Sequence, residues 1–241
     1  MPAPAFYHAH PETLILETQV VDARPGRVLL AESPFYPGGG GQPADRGSLQ
    51  GQGQPLAVSG FETVAGRTWI LLADPGAELR DAVRATVDAD FRQMMRELHT
   101  GTHILNALVF QAFDGALVTG VQMNEDGTAR MDFDLPEADN DRIRALEGAI
   151  NDAIRQDLPV RDVYLPMAEA QQAHGLIRSK SVAPPPTEDN LIRIVDIVGL
   201  DRQACGGTHL ARTGACRPLR ILKIDNKGRH NRRVRLALAG L

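Results

Sequence analysis

The protein is a chain of 241 residues with a formal net charge of −4, in which 43% of the residues are hydrophobic and 23% are charged. This composition is that of a folded globular protein and excludes wholesale disorder, and the negative balance excludes a protein that is basic over its whole surface. The 2 cysteines, Cys205 and Cys216, are too few for a disulfide framework and predict a reducing, cytoplasmic location. No apolar run approaches the roughly 20 residues that span a bilayer, so no membrane association is expected.

Residues 1–87 are predicted to form a β-rich domain. Strands are expected at Leu14 to Asp22, Arg27 to Ala31 and Thr68 to Leu72, where β-favouring residues are concentrated. Pro-Gly pairs at 25/26 and 75/76 mark turns between them. Short strands with this spacing favour a small barrel or sandwich, and we predict a barrel-like domain.

A change of pattern near residue 88 predicts a second domain over residues 88–241. From Asp88 to Phe113 the apolar residues recur at helical spacing, which predicts one long helix with Asp88 as its N-cap. The strands and helices that follow do not alternate regularly, so this domain is predicted to be α+β. The expected elements are a hairpin of Ala116 to Met123 and Ala129 to Leu135, a helix at Ala138 to Asp157, an exposed connector at Pro184-Pro185-Pro186, and strands at Val160 to Leu165, Leu191 to Val198, Leu219 to Ile224 and Arg233 to Leu238.

Two pairs of residues are candidate metal ligands. His99 and His103 are spaced i, i+4 on the predicted long helix, so their side chains lie one turn apart on the same face. Cys205 and His209 form a C-x3-H element whose two glycines allow the backbone to turn tightly. A thiolate combined with imidazoles suits Zn²⁺, and we predict one zinc ion held by these four residues. The alternative is that they are ordinary buried side chains; Cys216 has no histidine at ligand spacing and is expected in the core.

The residues between the two histidines bear on the chemistry. They are Thr100, Gly101 and Thr102, so the general base of an H-E-x-x-H peptidase is missing from the motif. Water activation is therefore expected chiefly from the metal or the substrate. Four protein ligands would close a tetrahedral site, whereas a catalytic zinc usually keeps one position open. Either one ligand is weak, with His209 the expected one, or the zinc mainly orders the pocket.

The combined motifs resemble a known family. H-T-G-T-H, C-G-G-T-H, the glycine-rich segment from Phe35 to Pro43, and the strand Arg130-Met131-Asp132-Phe133 are similar to those of the AlaX family of alanyl-tRNA editing proteins. This family is related to the editing domain of alanyl-tRNA synthetase, and the resemblance covers nearly the whole chain. It implies a zinc-dependent hydrolase, acting in trans and without ATP, that deacylates mischarged Ser-tRNA(Ala) and also Gly-tRNA(Ala).

The resemblance also implies contacts to the substrate. Thr119 is expected to hydrogen-bond the serine hydroxyl, with Gln122 nearby, although a threonine on a strand is often simply a β-former. Gly39, Gly40 and Gln42 are expected to reach towards the editing pocket, although a glycine-rich segment can also be a mobile turn.

Charged residues supply the last candidates. Asp132 is expected to position water, with an ion-paired structural role beside Arg130 as the alternative. Residues 216–241 contain eight basic residues and one acidic residue, which predicts a face for tRNA phosphates, with a solvated edge strand as the alternative. The expected tRNA contacts on this face are Lys227, Arg229, Arg232 and Arg233.

Two other functions remain open on the sequence. One is a zinc-dependent hydrolase of a small-molecule ester or amide. The other is a non-catalytic tRNA-binding module with a structural zinc. No protein partner is evident in either case.

Overall fold

A computed structural model describes residues 4–136, 139–173, 175–178, 186–187 and 189–240. The described residues separate into two compact units. One comprises residues 4–39 and 43–93, and the other comprises Gly40–Gln42 and the described part of residues 94–240. The domain boundary predicted near residue 88 stays a proposal. Within the described ranges, no helix has the length and apolar content that crossing a bilayer would require.

The first unit contains a short helix and a closed barrel of six strands joined in the order β1-β2-β5-β4-β3-β6. The predicted barrel-like region is therefore present, although three of its strands were not predicted. The longest of these, β4, contains Ser59 and Gly60 and has a register shift beside them, which interrupts its alternating pattern. The elements are α1 (Phe6–Ala9), β1 (Ile15–Arg24), β2 (Arg27–Leu30), β3 (Gly47–Gln50), β4 (Leu56–Val64), β5 (Arg67–Leu72) and β6 (Ala82–Val87).

A buried ion pair in the first unit holds the two ends of the glycine-rich segment. Nε of Arg92 donates to Oδ1 of Asp45 at 2.9 Å, and both side chains are essentially inaccessible to solvent. The Asp45 carboxylate also accepts from the backbone nitrogen of Tyr36. Because these bonds join residues before and after the glycines, they constrain the base of the loop.

The predicted long helix is α2 (Ala89–Ala112), which begins directly after Asp88 and ends one residue earlier than expected. Oδ1 of Asp88 accepts from the backbone nitrogen of Phe91 at 3.1 Å, so the predicted N-cap is confirmed. All residues from 95 to 107 are buried. The two histidines of the H-T-G-T-H motif therefore lie in the buried part of the helix.

The second unit contains two antiparallel sheets, of strand order β12-β13-β8-β7 and β11-β10-β9. A short 3-10 helix covers Thr213–Ala215. The strands are β7 (Val118–Met123), β8 (Thr128–Asp134), β9 (Val160–Pro166), β10 (Leu191–Ile197), β11 (Asp201–Ala204), β12 (Leu219–Lys227) and β13 (Asn231–Leu238), and the remaining helices are α3 (Asn140–Arg144), α4 (Leu146–Arg155) and α5 (Met167–Gln172).

The helix predicted from Ala138 to Asp157 is instead two helices, α3 and α4, which meet at Ala145. Ala138 itself lies outside the described residues, and α3 is capped by Asp139, whose side chain accepts from the backbone nitrogen of Asp141. Ile143, Ile150 and Ile154 are nevertheless all buried, because their helical spacing carries across the break. Of the predicted proline connector, Pro184 and Pro185 also lie outside the described residues.

Candidate metal centre

The four predicted ligands come together in one buried cluster. His99 and His103 lie on α2, and Cys205 and His209 lie on the segment after β11; their ligand atoms are all within 4.8 Å of one another. Sγ of Cys205 is 3.3 Å from Nε2 of His99 and 3.3 Å from Nε2 of His209. With bonds of about 2.0 Å to nitrogen and 2.3 Å to sulfur, a tetrahedral metal separates such atoms by about 3.5 Å. The cluster therefore could bind one metal ion.

The glycine between the two histidines has a packing role. A Cβ on Gly101 would overlap the side chain of Leu219, the first residue of β12. The absence of a side chain therefore allows β12 to pack directly on the turn of α2 that carries His99 and His103.

A buried arginine holds the segment that carries the other two ligands. Nη1 of Arg193, on β10, donates to the carbonyl oxygens of Cys205 and Gly207 at 2.9 Å each. Its Nε donates to Oδ2 of Asp162 at 2.8 Å. This residue was not predicted from the sequence, where its one signal is a charge inside the apolar run of β10. Arg193 is a donor to both of these buried carbonyls and so shapes the turn between the predicted ligands.

Gly207 lies against the ring of His99. A Cβ at this position would overlap the imidazole and would stand 2.8 Å from Oε1 of Gln42. Its backbone nitrogen points to Sγ of Cys205 at 3.4 Å. The middle of the C-G-G-T-H motif must therefore be a residue without a side chain.

Gln42 contacts both halves of the cluster. Its Oε1 lies 2.7 Å from Nδ1 of His99 and accepts from the backbone nitrogen of Thr208 at 3.0 Å. Its Nε2 donates to Oγ1 of Thr208 at 2.8 Å. The side chain is 2% exposed and its amide is engaged at both ends. In this arrangement the amide is directed at His99 and Thr208, and the expected contact of Gln42 with the substrate stays a prediction.

Thr100 contacts the fourth ligand from within the H-T-G-T-H motif. Its Oγ1 accepts from the backbone nitrogen of Leu210 at 3.1 Å and lies 3.4 Å from Nδ1 of His209. This hydroxyl joins α2 to the segment that follows the C-G-G-T-H motif. In the sequence, Thr100 indicated only that a general base is missing from the motif.

Burial determines the protonation of the cluster. It lowers the pKa of His99 well below the ordinary 6.5, helped by the charges of His103 and Arg193. It also lowers the pKa of His103 to about 3, with Arg193 and Arg178 acting in the same direction. Burial raises the pKa of the Cys205 thiol, which Arg193 partly opposes. At neutral pH both imidazoles are therefore neutral and can bind a metal, and metal binding displaces the thiol proton.

Asp132 is the centre of an ion-paired group on the four-stranded sheet. Arg233 donates to its two carboxylate oxygens at 2.6 and 2.7 Å, and Arg130 donates to Oδ2 at 3.1 Å. The carboxylate side chain is 14% exposed. This arrangement corresponds to the structural role that the sequence left open as the alternative to positioning water.

The other predicted substrate contacts are on strand β7 and in the glycine-rich segment. Oγ1 of Thr119 is half-buried and donates to Oδ1 of Asn231 at 3.3 Å, while Gln122 is exposed and donates to its neighbour's carbonyl. Gly39 and Gly40 are exposed and have positive φ angles of 130° and 57°. Their role in substrate binding stays a prediction.

The four predicted tRNA contacts differ in accessibility. Lys227 and Arg229 are exposed beside the turn between β12 and β13. Arg232 is 8% exposed, and the guanidinium of Arg233 is bonded to Asp132. Lys227 and Arg229 are therefore accessible to phosphates, Arg232 is mostly covered, and the role of all four in tRNA binding stays a prediction.

Comparisons with known proteins find relatives that cover most of the chain. Residues 192–235, which include Arg193, Cys205 and His209, match the family described as threonyl and alanyl tRNA synthetase second additional domain. The chain is 32% identical to the alanyl-tRNA editing protein AlaX-M of Saccharolobus solfataricus, over 90% of this chain and 91% of that protein. It is 34% identical to AlaX-M of Methanosarcina acetivorans, over 88% of each. An alanine-tRNA ligase of Korarchaeum cryptofilum is 31% identical over 91% of this chain, which spans 24% of the ligase.

Proposed function

This chain belongs to the family of alanyl-tRNA editing proteins, and on that premise we propose that it is a zinc-dependent deacylase of mischarged tRNA. The substrate is Ser-tRNA(Ala), with Gly-tRNA(Ala) as a second substrate. The observation that carries the proposal is the buried set of three imidazoles and one thiol, with ligand atoms within 4.8 Å of one another. The activity requires no ATP, and we place it in the cytoplasm with alanine tRNA as the partner.

The donor set favours zinc. Nitrogen and sulfur ligands at tetrahedral spacing suit this ion, and the low pKa values of His99 and His103 keep both imidazoles available. When bound, zinc would supply Lewis acidity to the ester or order the pocket around it. We retain His209 as the ligand proposed to be weakest, because four permanent protein ligands would leave no open position.

An editing site separate from the site that attaches alanine to the tRNA is needed for a physical reason. A pocket made for alanine cannot exclude the smaller glycine by size, and it excludes serine poorly, because one small group changes binding by only about 1 to 3 kcal/mol. An editing site that hydrogen-bonds the serine hydroxyl would supply the missing discrimination. Thr119 is the residue proposed for that bond, and replacing it with valine removes the hydroxyl at nearly constant shape.

Contacts to the tRNA are proposed on the turn between β12 and β13. Lys227 and Arg229 are exposed there and carry charges that phosphates would neutralise. Such contacts add affinity without reading sequence. Arg232 and Arg233 follow on β13 and stay proposed tRNA contacts, although Arg232 is 8% exposed and Arg233 is bonded to Asp132.

Hydrolysis of Ser-, Gly- and Ala-tRNA(Ala), each with and without a metal chelator, tests the proposal. We expect release of serine and glycine, little release of alanine, and loss of activity with the chelator. A hydrolase of small molecules would act on a serine ester without any tRNA requirement. A binding module would retain the tRNA and release nothing, and either result would contradict the proposal.

A further inference from the structure

The orientation of the Gln42 amide follows from the backbone of the C-G-G-T-H motif. The nitrogen of Thr208 is a backbone donor and cannot accept a hydrogen bond. It lies 3.0 Å from one end of the Gln42 amide, so that end must be the oxygen. Reversing the amide would bring two donors together in a buried position and leave both without an acceptor there. The nitrogen end then donates to Oγ1 of Thr208, which can accept.

The same oxygen defines the protonation of His99. Oε1 of Gln42 lies 2.7 Å from Nδ1 of the imidazole, and an amide oxygen only accepts. Nδ1 must therefore carry the hydrogen. In the neutral ring the lone pair is then on Nε2, which faces Sγ of Cys205 at 3.3 Å. Nε2 is thus the nitrogen available to a metal in the cluster, and the opposite nitrogen is held by Gln42.

Packing next to Gln42 holds its backbone in place. Gly41 has a φ of 86°, and a Cβ on it would stand 2.5 Å from the carbonyl oxygen of Val121. The carbonyl of Gly41 accepts from the backbone nitrogen of Met123 at 2.8 Å. The glycine therefore lets this segment lie directly on β7, with the Gln42 side chain directed to His99.

We propose that Gln42 is a positioning residue of the metal centre: it selects the Nδ1-protonated tautomer of His99 and couples that ring to Thr208 in the C-G-G-T-H motif. This proposal rests on the proposed function only in taking zinc as the metal. A hydrogen-bond partner on the ring nitrogen that does not bind the metal orients a ligating histidine and raises its basicity. Removing such a partner weakens metal affinity roughly 10- to 100-fold.

Two substitutions separate the positioning role from simple packing. Gln42→Met keeps a side chain of similar length but removes every hydrogen bond. Gln42→Glu keeps an oxygen that accepts from His99 and Thr208, and the Thr208 hydroxyl can turn to donate to it. Gln111→Met, an exposed glutamine of α2, is the matched control for the glutamine-to-methionine change.

The first measurement is the dissociation constant for zinc alone, by competition with a chelator. We expect Gln42→Met to bind zinc roughly 10- to 100-fold more weakly than the parent. Gln42→Glu should recover most of that loss, and Gln111→Met should match the parent. Equal zinc affinity in Gln42→Met and the parent would overturn the proposal, as would a loss in Gln42→Glu as large as that in Gln42→Met.

The second measurement needs no variant and therefore remains decisive if Gln42→Met fails to fold. Imidazole ¹⁵N shifts of the metal-free parent should show Nδ1 of His99 protonated and Nε2 unprotonated. The reverse tautomer would refute the proposal. Neither measurement uses tRNA, so the two proposals can fail independently. A protein that binds zinc as expected but releases no amino acid would contradict the proposed function and would leave the role of Gln42 unchanged.

Discussion

Gly207 packs directly on the imidazole of His99, so closely that a single added methyl group would overlap the ring. This packing contact brings the C-G-G-T-H motif directly against the H-T-G-T-H motif. It also explains why the residue at the middle of the turn between Cys205 and His209 must lack a side chain.

Gly207→Ala is expected to displace the His99 ring and weaken zinc binding. Overpacking of this kind typically costs about 1 to 3 kcal/mol of stability. The measurements are zinc affinity and thermal unfolding. Gly148→Ala is the matched control, because Gly148 lies in α4 with no neighbour near its would-be Cβ. That control should be neutral or stabilising, and zinc affinity equal to the parent's in Gly207→Ala would contradict the predicted overlap.

The metal-free protein is expected to lose stability in mild acid. The folded state lowers the pKa of His99 and His103 below 6.5, so the unfolded chain takes up protons below pH 6.5 that the folded chain does not. Stability conferred by these groups is therefore full above pH 6.5 and falls as the pH drops towards 3. The free energy of unfolding then changes by about 2.7 kcal/mol per pH unit where both histidines are protonated in the unfolded chain and neutral in the folded one.

Denaturant unfolding of chelator-treated protein from pH 7 to 5 measures that slope. Replacing His103 with asparagine should reduce the proton uptake on unfolding by one. An unchanged slope in that variant would show that the imidazole is protonated in the folded protein.

Arg193→Met should destabilise the C-G-G-T-H segment. The change leaves the carbonyls of Cys205 and Gly207 buried without their donor, at about 1 to 3 kcal/mol for each unsatisfied group. Asp162→Asn is the comparison, because it keeps an acceptor for Nε and leaves both carbonyl bonds in place. Chemical denaturation should show a larger loss for Arg193→Met; equal losses would assign the effect to the ion pair instead.

Asp132→Asn is expected to reduce stability and to leave the deacylation rate of the folded fraction near that of the parent. The reason is the pairing of this carboxylate with Arg233 and Arg130, since hydrogen bonds to charged groups contribute about 1.5 to 3 kcal/mol. Unfolding and single-turnover hydrolysis of Ser-tRNA(Ala) measure the two effects separately. A rate loss of about 100-fold in well-folded protein would support the catalytic role instead.

Replacing Lys227 and Arg229 together with alanine should weaken tRNA binding and flatten its dependence on salt. The slope of log affinity against log salt falls by about 0.7 to 0.9 for every phosphate that the protein no longer neutralises. Arg155→Ala, an exposed arginine of α4, is the control for a change of surface charge. Binding measured at several salt concentrations should show a smaller slope for the double variant than for Arg155→Ala. An unchanged slope in the double variant would mean that this turn is not part of the tRNA interface.

The sequence by itself identified the four residues that the fold brings together and the long helix that carries two of them. Helical spacing places His99 and His103 on one face whatever surrounds them. Asp88 could be identified as the N-cap for the same reason, since capping depends on residues a few positions apart. Local geometry of this kind is a property of the backbone and can be read directly from the chain.

The tertiary structure decided the roles that depend on distant partners. Gln42 lies 57 positions before His99 and 166 before Thr208, so nothing in its neighbourhood along the chain distinguishes a buried partner from a substrate contact. Arg232 and Lys227 are both basic residues of one hairpin, yet one is buried and the other is exposed. Which atoms meet in the interior depends on how the whole chain packs, and charge or spacing along the sequence does not contain that information.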